Sequence, residues 1–467
     1  MSYVPQVAVE ILCQEVVPIL KRLVTESAKS HGDIGAVEVQ VGKALKQIVP
    51  LLVSSGLEAC SEQSGEALSC PGCGLRLTIW QKRTRAVMTA HGEGSLPVRR
   101  MRCKGCRKDH YPLQVQNGLE NTHFTIGARK LIAEEASYSP YARAAERLEQ
   151  VGISVSSSEV DRIVAEVSQW RKLDEDVVRT YLCQQSKDLP LPLHDWNLWQ
   201  MCPEDIPCVI SVDGAKVRSD QLGPKGLEWF EVRAGIITLD GHEEHKVCMG
   251  GFMEPDVVFE TLKAQWRQSP HRERQLVFVA DGALWIWDRV SFNFPDAIQV
   301  LDIYHAAQHV GSAARACWGP HSDTAIHWVS NAMPLLLREE GVALVIKDLL
   351  KVMRSEAMRS EVLDIEELHK EFRYLWRNRH RMNYSKLRDQ KLPIGRGIME
   401  STIKQLSTQR LRMPGMMWTR RGADQVLRLK AAVLSKSLGL TIDRQRTICK
   451  NRTDKFRTKK LDIRQAV

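Results

Sequence analysis

Cys208-Val209-Ile210-Ser211-Val212-Asp213-Gly214 is a short apolar run closed by an acid and a glycine, and Leu276-Val277-Phe278-Val279-Ala280-Asp281-Gly282 repeats the pattern further along the chain. Apolar runs of this length, rich in β-branched residues and bounded by turn signals, read as buried strands. Asp-Gly alone reads as a turn. Strand ends beside turns are nevertheless where α/β sheets present reactive groups.

Working outward, Trp229–Leu239 and Glu244–Phe252 are two more candidate strands, separated by Asp240-Gly241. A helix follows through Val257, Leu262 and Trp266, and Ile298–Leu301 is another strand ending in Asp302. Three strands with hairpin signals, then a helix and further strands, predict a mixed α/β sheet. The text from 303 to about 390 is helical, and Pro190–Pro207 reads as a connector.

A 467-residue chain allows about three domains. With 43% hydrophobic and 26% charged residues it reads as globular, which excludes collagen-like, disordered and small disulfide-framework classes. No apolar stretch reaches the ~18 residues of a membrane span. The N-terminus lacks the basic start and cleavage site of a secretory signal. The net charge of +10 is unevenly spread: residues 371–467 hold 25 basic and 7 acidic residues, leaving −8 for the rest. A basic end predicts a polyanion partner, most often nucleic acid.

Twelve cysteines are few for an exported scaffold of this size. Cys70-Pro-Gly-Cys73 and Cys103-Lys-Gly-Cys106 stand out, with 29 residues between them. Each Cys-x-x-Cys makes a tight turn that aims two thiolates at one point, and two such turns supply the four soft ligands of tetrahedral zinc. Leu77–Arg85 and Leu96–Met101 read as strands of the intervening ribbon. His110 lies outside the turn geometry. A zinc with four protein ligands is structural, so this module is a fold staple that can also grip DNA.

The first sixty residues carry apolar residues at helical spacing, broken at His31-Gly32-Asp33, and residues 57–69 read as a linker. Between 124 and 170, Tyr141–Leu148 and Glu159–Trp170 are helix-like and joined through Gly152; Ser156-x-x-Glu159 is a capping box. The pair suits a helix-turn-helix or an ordinary helical hairpin.

Asp213 and Asp281 at strand ends find a third acid in Glu400, within Pro393-Ile-Gly-Arg-Gly-Ile-Met-Glu400-Ser-Thr, where a Gly-rich turn opens a helix. Phosphodiester cleavage and transfer by two divalent ions calls for three such acids, and oxygen-only ligands suit Mg²⁺ (or Mn²⁺). Asp302 and Glu231 are competing ligands. The chain has neither a nucleophile elbow nor an ATP-binding P-loop.

Ser211-Val-Asp213-Gly-Ala, Val-Ala-Asp281-Gly-Ala283, Asp302-x-x-His305, Glu400-Ser-Thr-x-Lys404 and Arg410-Leu-Arg412-Met-Pro-Gly415-Met-x-Trp418 together resemble DDE transposases. The nearest likeness is the Kra-type group of bacterial insertion sequences, related to Mutator-like transposases. It spans the zinc knuckles, with the following Tyr111-Pro-Leu, to about residue 435. The resemblance implies an RNase H-like core in which Asp213, Asp281 and Glu400 hold two Mg²⁺ ions. It makes Asp302 and His305 an accessory pair and puts Lys404, Arg410, Arg412 and Trp418 on the DNA side. The 119 residues from Asp281 to Glu400 agree with a helical insertion.

The resulting expectation is a multidomain α/β protein. Its parts are a helical region (1–69), a zinc ribbon (70–116), a helical, helix-turn-helix-like block (117–200), an RNase H-like catalytic core (201–305), a helical insertion (306–392), the last part of the core (393–439) and a flexible basic arm (440–467). Its expected work is binding terminal inverted repeats of double-stranded DNA, cleaving them and transferring strands. It is expected as a cytoplasmic, nucleoid-associated homodimer or larger assembly, with no membrane partner. The rival readings are a zinc-ribbon regulator with an inactive core, and an RNase H-like nuclease without strand transfer.

Overall fold

The computed structural model describes residues 6–62, 68–183, 193–194, 196, 202–223, 226–354, 362–395, 397, 401–402 and 404–454. It divides into two compact units, Met1–Trp170 with Leu438–Val467, and Arg171–Ser437. No helix of the described residues is long and apolar enough to cross a membrane.

The first unit opens with α1 (Gln6–Ala28) and α2 (Ile34–Glu62). The break falls at His31 and Gly32, both at positive φ (47° and 84°). Helix α2 continues into the stretch read as linker. Strands β1 (Leu77–Thr89) and β2 (Gly92–Cys103) form an antiparallel ribbon, with β3 (Asp109–His110) on the far side of β2. Both long strands outrun the sequence expectation. The reason is partly tertiary: α2 packs along β2 so closely that a Cβ on Gly94 would meet Val53 at 2.5 Å. Then come α3 (Pro112–Gln116), α4 (Ile126–Tyr138), α5 (Tyr141–Gln150) and α6 (Ser157–Cys183), whose residues from Arg171 on belong to the second unit. The capping box forms as a reciprocal pair, Glu159 N–H donating to Ser156 Oγ and Ser156 N–H to Glu159 Oε2.

The second unit is built on β4 (Cys208–Gly223), β5 (Gly226–Leu239), β6 (His242–Gly251), β7 (Leu276–Ala280) and β8 (Ile298–Leu301). They lie in the order β6-β5-β4-β7-β8, the first three mutually antiparallel and the last two parallel to β4. Alternation sorts the side chains. Ile210, Val212, Phe278 and Ala280 join a core with α7 (Pro255–Gln268) and α8 (Leu284–Asn293). Val209, Val277, Val279 and Val300 face the other way, onto α9 (Ile303–Trp318), α10 (Asp323–Leu336), α11 (Gly341–Arg354), α12 (Ile365–Asn378) and α13 (Tyr384–Asp389). The stretch read as an insertion is thus half of the packing: its helices share one buried core with β7 and β8. A π-helical turn, Lys404–Thr408, and α14 (Arg420–Leu434) complete the unit.

The expected flexible arm is corrected in its first part. Residues Leu438–Asp454 form α15, which packs on α3 and α4 with Ile442 and Cys449 buried. Few apolar residues suffice because Leu438, Ile442 and Cys449 recur on one helical face, while Ile448 stays exposed.

Candidate active site and metal centre

Register brings the acids of the second unit into one row. Asp213 pairs with Ala234, and Ala234 with Gly250. In the parallel pair, Cys208 lies opposite Leu276 and Ile210 opposite Phe278. Carrying that register three residues on sets Asp213 level with Asp281. Ala280 lies opposite Leu301, so the next step sets Asp281 level with Asp302. From β6 to β8 the row reads Gly250, Ala234, Asp213, Asp281, Asp302. Level residues on paired strands point to the same face. For the three acids it is the face of Val209, Val277 and Val300, on the α9 side. Adjacent strands are ~4.8 Å apart, so the backbones of neighbouring acids are one strand spacing apart; among the described residues, only the four cysteines of the first unit bring three or more ligand atoms together as placed.

The two Asp-Gly pairs look alike in sequence and differ in the structure. Strand β4 runs straight through Asp213-Gly214 to Gly223, so this pair is no turn. Asp213 Oδ1 accepts from the Gly214 N–H at 2.7 Å. Gly214 is small because the Glu231 carboxylate folds across it: an added Cβ would meet Glu231 Oε1 at 2.6 Å. That puts Glu231 on the opposite face from Asp213, bound to Arg233, which corrects its reading as an extra ligand.

Asp281 does sit in a turn, its Oδ1 accepting from the Ala283 N–H at 2.9 Å. Gly282 is small for a different reason. The hydroxyl end of the Tyr374 ring crowds it, 2.4 Å from where a Cβ would be, and the Tyr374 hydroxyl accepts the Gly282 N–H at 2.9 Å. Tyr374 in turn stacks on His309, with centroids 3.4 Å apart, and His309 Nδ1 bonds the buried Glu371.

Asp302 is 3% exposed and caps α9, accepting from the Tyr304 N–H, with His305 Nδ1 at 3.4 Å. Tyr384 donates to Leu301 O below it. Burial first, and then the Asp302 charge, push the Tyr384 phenol well above its ordinary range. Sequence reasoning missed His309, Glu371 and Tyr374. The available signal was His305 and His309 one helical turn apart, directly after the Asp302 cap.

Glu400 lies outside the described residues, and the structure brackets it. On one side Ile394 O accepts from Ile303 N, beside Asp302. On the other, Leu406 packs on Gly250, at the far end of the row.

Of the four residues assigned to DNA, two are buried. Arg410 is 2% exposed and stacks on Trp418, with the guanidinium carbon 4.9 Å from the ring centroid. Trp418 donates its indole N–H to Leu411 O, and its backbone bonds Arg218 and Asp220 on β4. It packs, and no base can reach its ring as placed. Lys404 and Arg412 are exposed. Arg412 donates to Lys216 O and, with Lys216 and Trp229, lines a hollow of about 430 Å³. Trp229 is 57% exposed. A larger cavity, about 720 Å³, is lined by residues of α11 to α13 such as Lys347, Trp376 and Lys386, and none of the acids lines it.

In the first unit, the ligand atoms of Cys70, Cys73, Cys103 and Cys106 all lie within 4.8 Å of one another. Cys70 and Cys106 sulfurs are 3.5 Å apart, and those of Cys73 and Cys103 3.2 Å. Zn–S bonds of ~2.3 Å in a tetrahedron require sulfurs at about this separation, so the cluster fits a structural zinc. The Cys106 backbone N–H and the Cys73 thiol pull the Cys103 thiol down to about 6, toward the thiolate a metal needs. His110 Nε2 sits 3.4 Å from Cys70 Sγ, so it touches the cluster after all.

No family model and no curated protein matches the sequence. Among solved structures, the chain is similar to the Drosophila P element transposase strand transfer complex at 12% identity and a TM-score of 0.25, covering 76% of this chain and 87% of that one.

Proposed function

We propose that this chain is a DDE-type DNA transposase of an insertion sequence. In this reading it binds the element's terminal inverted repeats, cleaves them and joins them to target DNA. The observation that carries the proposal is the level row of Asp213, Asp281 and Asp302 on one face of a mixed sheet. The strand order, three antiparallel strands followed by two parallel ones, supports the RNase H-like core that the sequence resemblance implies.

Glu400 is the proposed third ligand. Ile394 and Leu406 abut opposite ends of the row, and residue 400 is midway between them. The sequence resemblance, together with these two described contacts, supports Glu400 as the acid that joins Asp213 and Asp281.

Bound there, two divalent ions such as Mg²⁺ supply activation of the attacking oxygen and charge neutralisation at the leaving oxygen. Asp213 and Asp281, each oriented by a backbone N–H, fix the position of that charge. Asp302 and His305 lie beside them as the accessory pair. Lys404, Arg412, Lys216 and Trp229 offer phosphate and base contacts outside the row. In this reading the protein works on the bacterial nucleoid, as a dimer or larger assembly that holds two ends together.

Purified protein on labelled DNA carrying the gene's own flanks, with Mg²⁺ or EDTA, tests it. Nicking and joining that need Mg²⁺ and vanish in Asp213→Asn, Asp281→Asn and Glu400→Gln, with folding retained, are expected. Nicking without any joined product would favour a nuclease. Binding of the flanks without cleavage under any metal would favour a regulator.

A further inference from the structure

The middle of the β1–β2 ribbon is exposed in a way that neither the row of acids nor the cysteine cluster explains. Seven consecutive β1 residues, Thr78–Thr84, are exposed, so neither face of this edge strand is covered there. The strand is nonetheless firmly held at both ends. The cysteine cluster closes the open end. At the turn end Met88 exchanges backbone bonds with His123 and Thr125, and Arg85 donates to Leu119 O and Thr122 O.

We infer that this segment is a docking surface for double-stranded DNA, entering the major groove. The inference rests on the proposed function only in taking DNA as the partner. Charge argues for it first. Lys82 lies directly opposite Arg99 in the ladder, with Arg83 next to it. Like charges directly opposite each other are destabilising, and a phosphate between them reverses that. Among the described residues Lys82, Arg83, Arg99 and Arg102 make no ion pair, whereas Arg100 is held by Asp109.

An aromatic group stands in the same place. Trp80 is 60% exposed at the irregularity between Ile79 and Gln81, with Arg102 stacked 5.0 Å from its ring centroid. Lysines on an edge strand do discourage strand-to-strand aggregation, but that role leaves the open indole and the Lys82–Arg99 apposition unaccounted for. Shape selects the duplex. The B-form major groove, ~12 Å wide, admits a two-stranded ribbon, and the deep, narrow major groove of A-form RNA does not.

The test uses the full-length, zinc-loaded chain and short labelled duplexes of arbitrary sequence, without Mg²⁺. The Lys82→Ala/Arg83→Ala/Arg99→Ala variant should bind DNA at least about tenfold more weakly, with a salt slope smaller by roughly 2–3. The charge-preserving Lys82→Arg/Arg83→Lys variant should bind as wild type does. Methylating guanine N7 should weaken the wild type, since N7 faces the major groove. Unchanged affinity and slope in the triple variant, with zinc content and circular dichroism retained, would overturn the inference. So would RNA duplex bound equally well with the same loss, or indifference to N7 methylation. Binding is read here without Mg²⁺ and without cleavage, so a failure of the cleavage proposal shows up separately.

Discussion

Strands β1 and β7 are opposites. All five residues of β7 are buried between two helical layers, whereas β1 has a seven-residue stretch with no cover. β7 needs nothing beyond its own apolar side chains, and at its end an acid can be held out on a rigid support. β1 has cores only at its ends, a small one of Leu68, Leu77 and Met101 around the cysteines and another of Val87, Leu96, Val98 and Leu119 near the turn. The small core at the open end is joined there by four converging thiols, and they add a constraint that its few apolar side chains do not supply.

The largest effect expected from this difference is on metal removal. Structural zinc sites are worth ~10–16 kcal/mol of apparent binding energy, far more than the ribbon's small cores supply. A strong chelator, or Cys103→Ser, should therefore open the ribbon while the five-stranded sheet stays protected. Hydrogen exchange resolved by peptide checks it: Thr78–Arg102 should lose protection and Leu276–Ala280 keep it. Loss of protection in both at once would mean that the sheet depends on the metal too, and the contrast would fail.

Next in size is a test inside the sheet unit, on its two glycines. Gly282→Ala drives a methyl into the Tyr374 ring, which cannot retreat because it stacks on His309. Overpacking of this kind costs about 1–3 kcal/mol, and it displaces Asp281. Gly214→Ala meets only the end of the half-exposed Glu231 side chain, which can swing aside, so it should cost less than about 1 kcal/mol. Urea unfolding of both variants measures the gap. Adding Tyr374→Ala to Gly282→Ala should restore much of the loss, a coupling that a double-mutant cycle reads directly. Equal costs at both glycines would mean that they serve only as turn or strand spacers.

These two glycines also mark how far the sequence could be read. The strands at 208, 229, 244, 276 and 298 were legible because buried runs bounded by turn residues leave a local trace, and so was the capping box at Ser156. The paired Cys-x-x-Cys turns were legible for the same reason. What β4 does after Asp213 was not, because its continuation depends on pairing with β5. Nor was the use of Gly282, which answers a ring 92 positions away. The resemblance put Arg410 and Trp418 on the DNA side, yet Trp418 packs against β4 and Arg410 is buried against Trp418. The row of three acids emerges only when register is added to strand position. The sequence named its members and could not align them.

The last comparison sets exposed cations against buried ones. The uncovered stretch of β1 carries Lys82 and Arg83 in the open. The sheet unit buries Arg410 and Lys430, each 2% exposed. Burial, reinforced by the nearby Arg410 charge, lowers the Lys430 ammonium to about 8. Unfolded, a lysine holds its proton to about 10.4. Below pH 8 both states are charged and folding bears the full penalty. As pH rises through 8 the native state releases the proton first, the unfolded state binds more protons, and stability increases. The ceiling is roughly 3 kcal/mol. Buried Cys208 and Cys248, pushed up to about 12 by desolvation, act in the opposite sense once unfolded thiols ionise near pH 8.5–9. The readout is therefore the difference between wild type and Lys430→Met. Near pH 7 the methionine variant should be the more stable by about 1–3 kcal/mol, and the gap should shrink steadily from pH 8 upward. A gap that stays constant with pH would mean that Lys430 is charged at no cost, and that this unit tolerates buried cations as easily as the ribbon carries exposed ones.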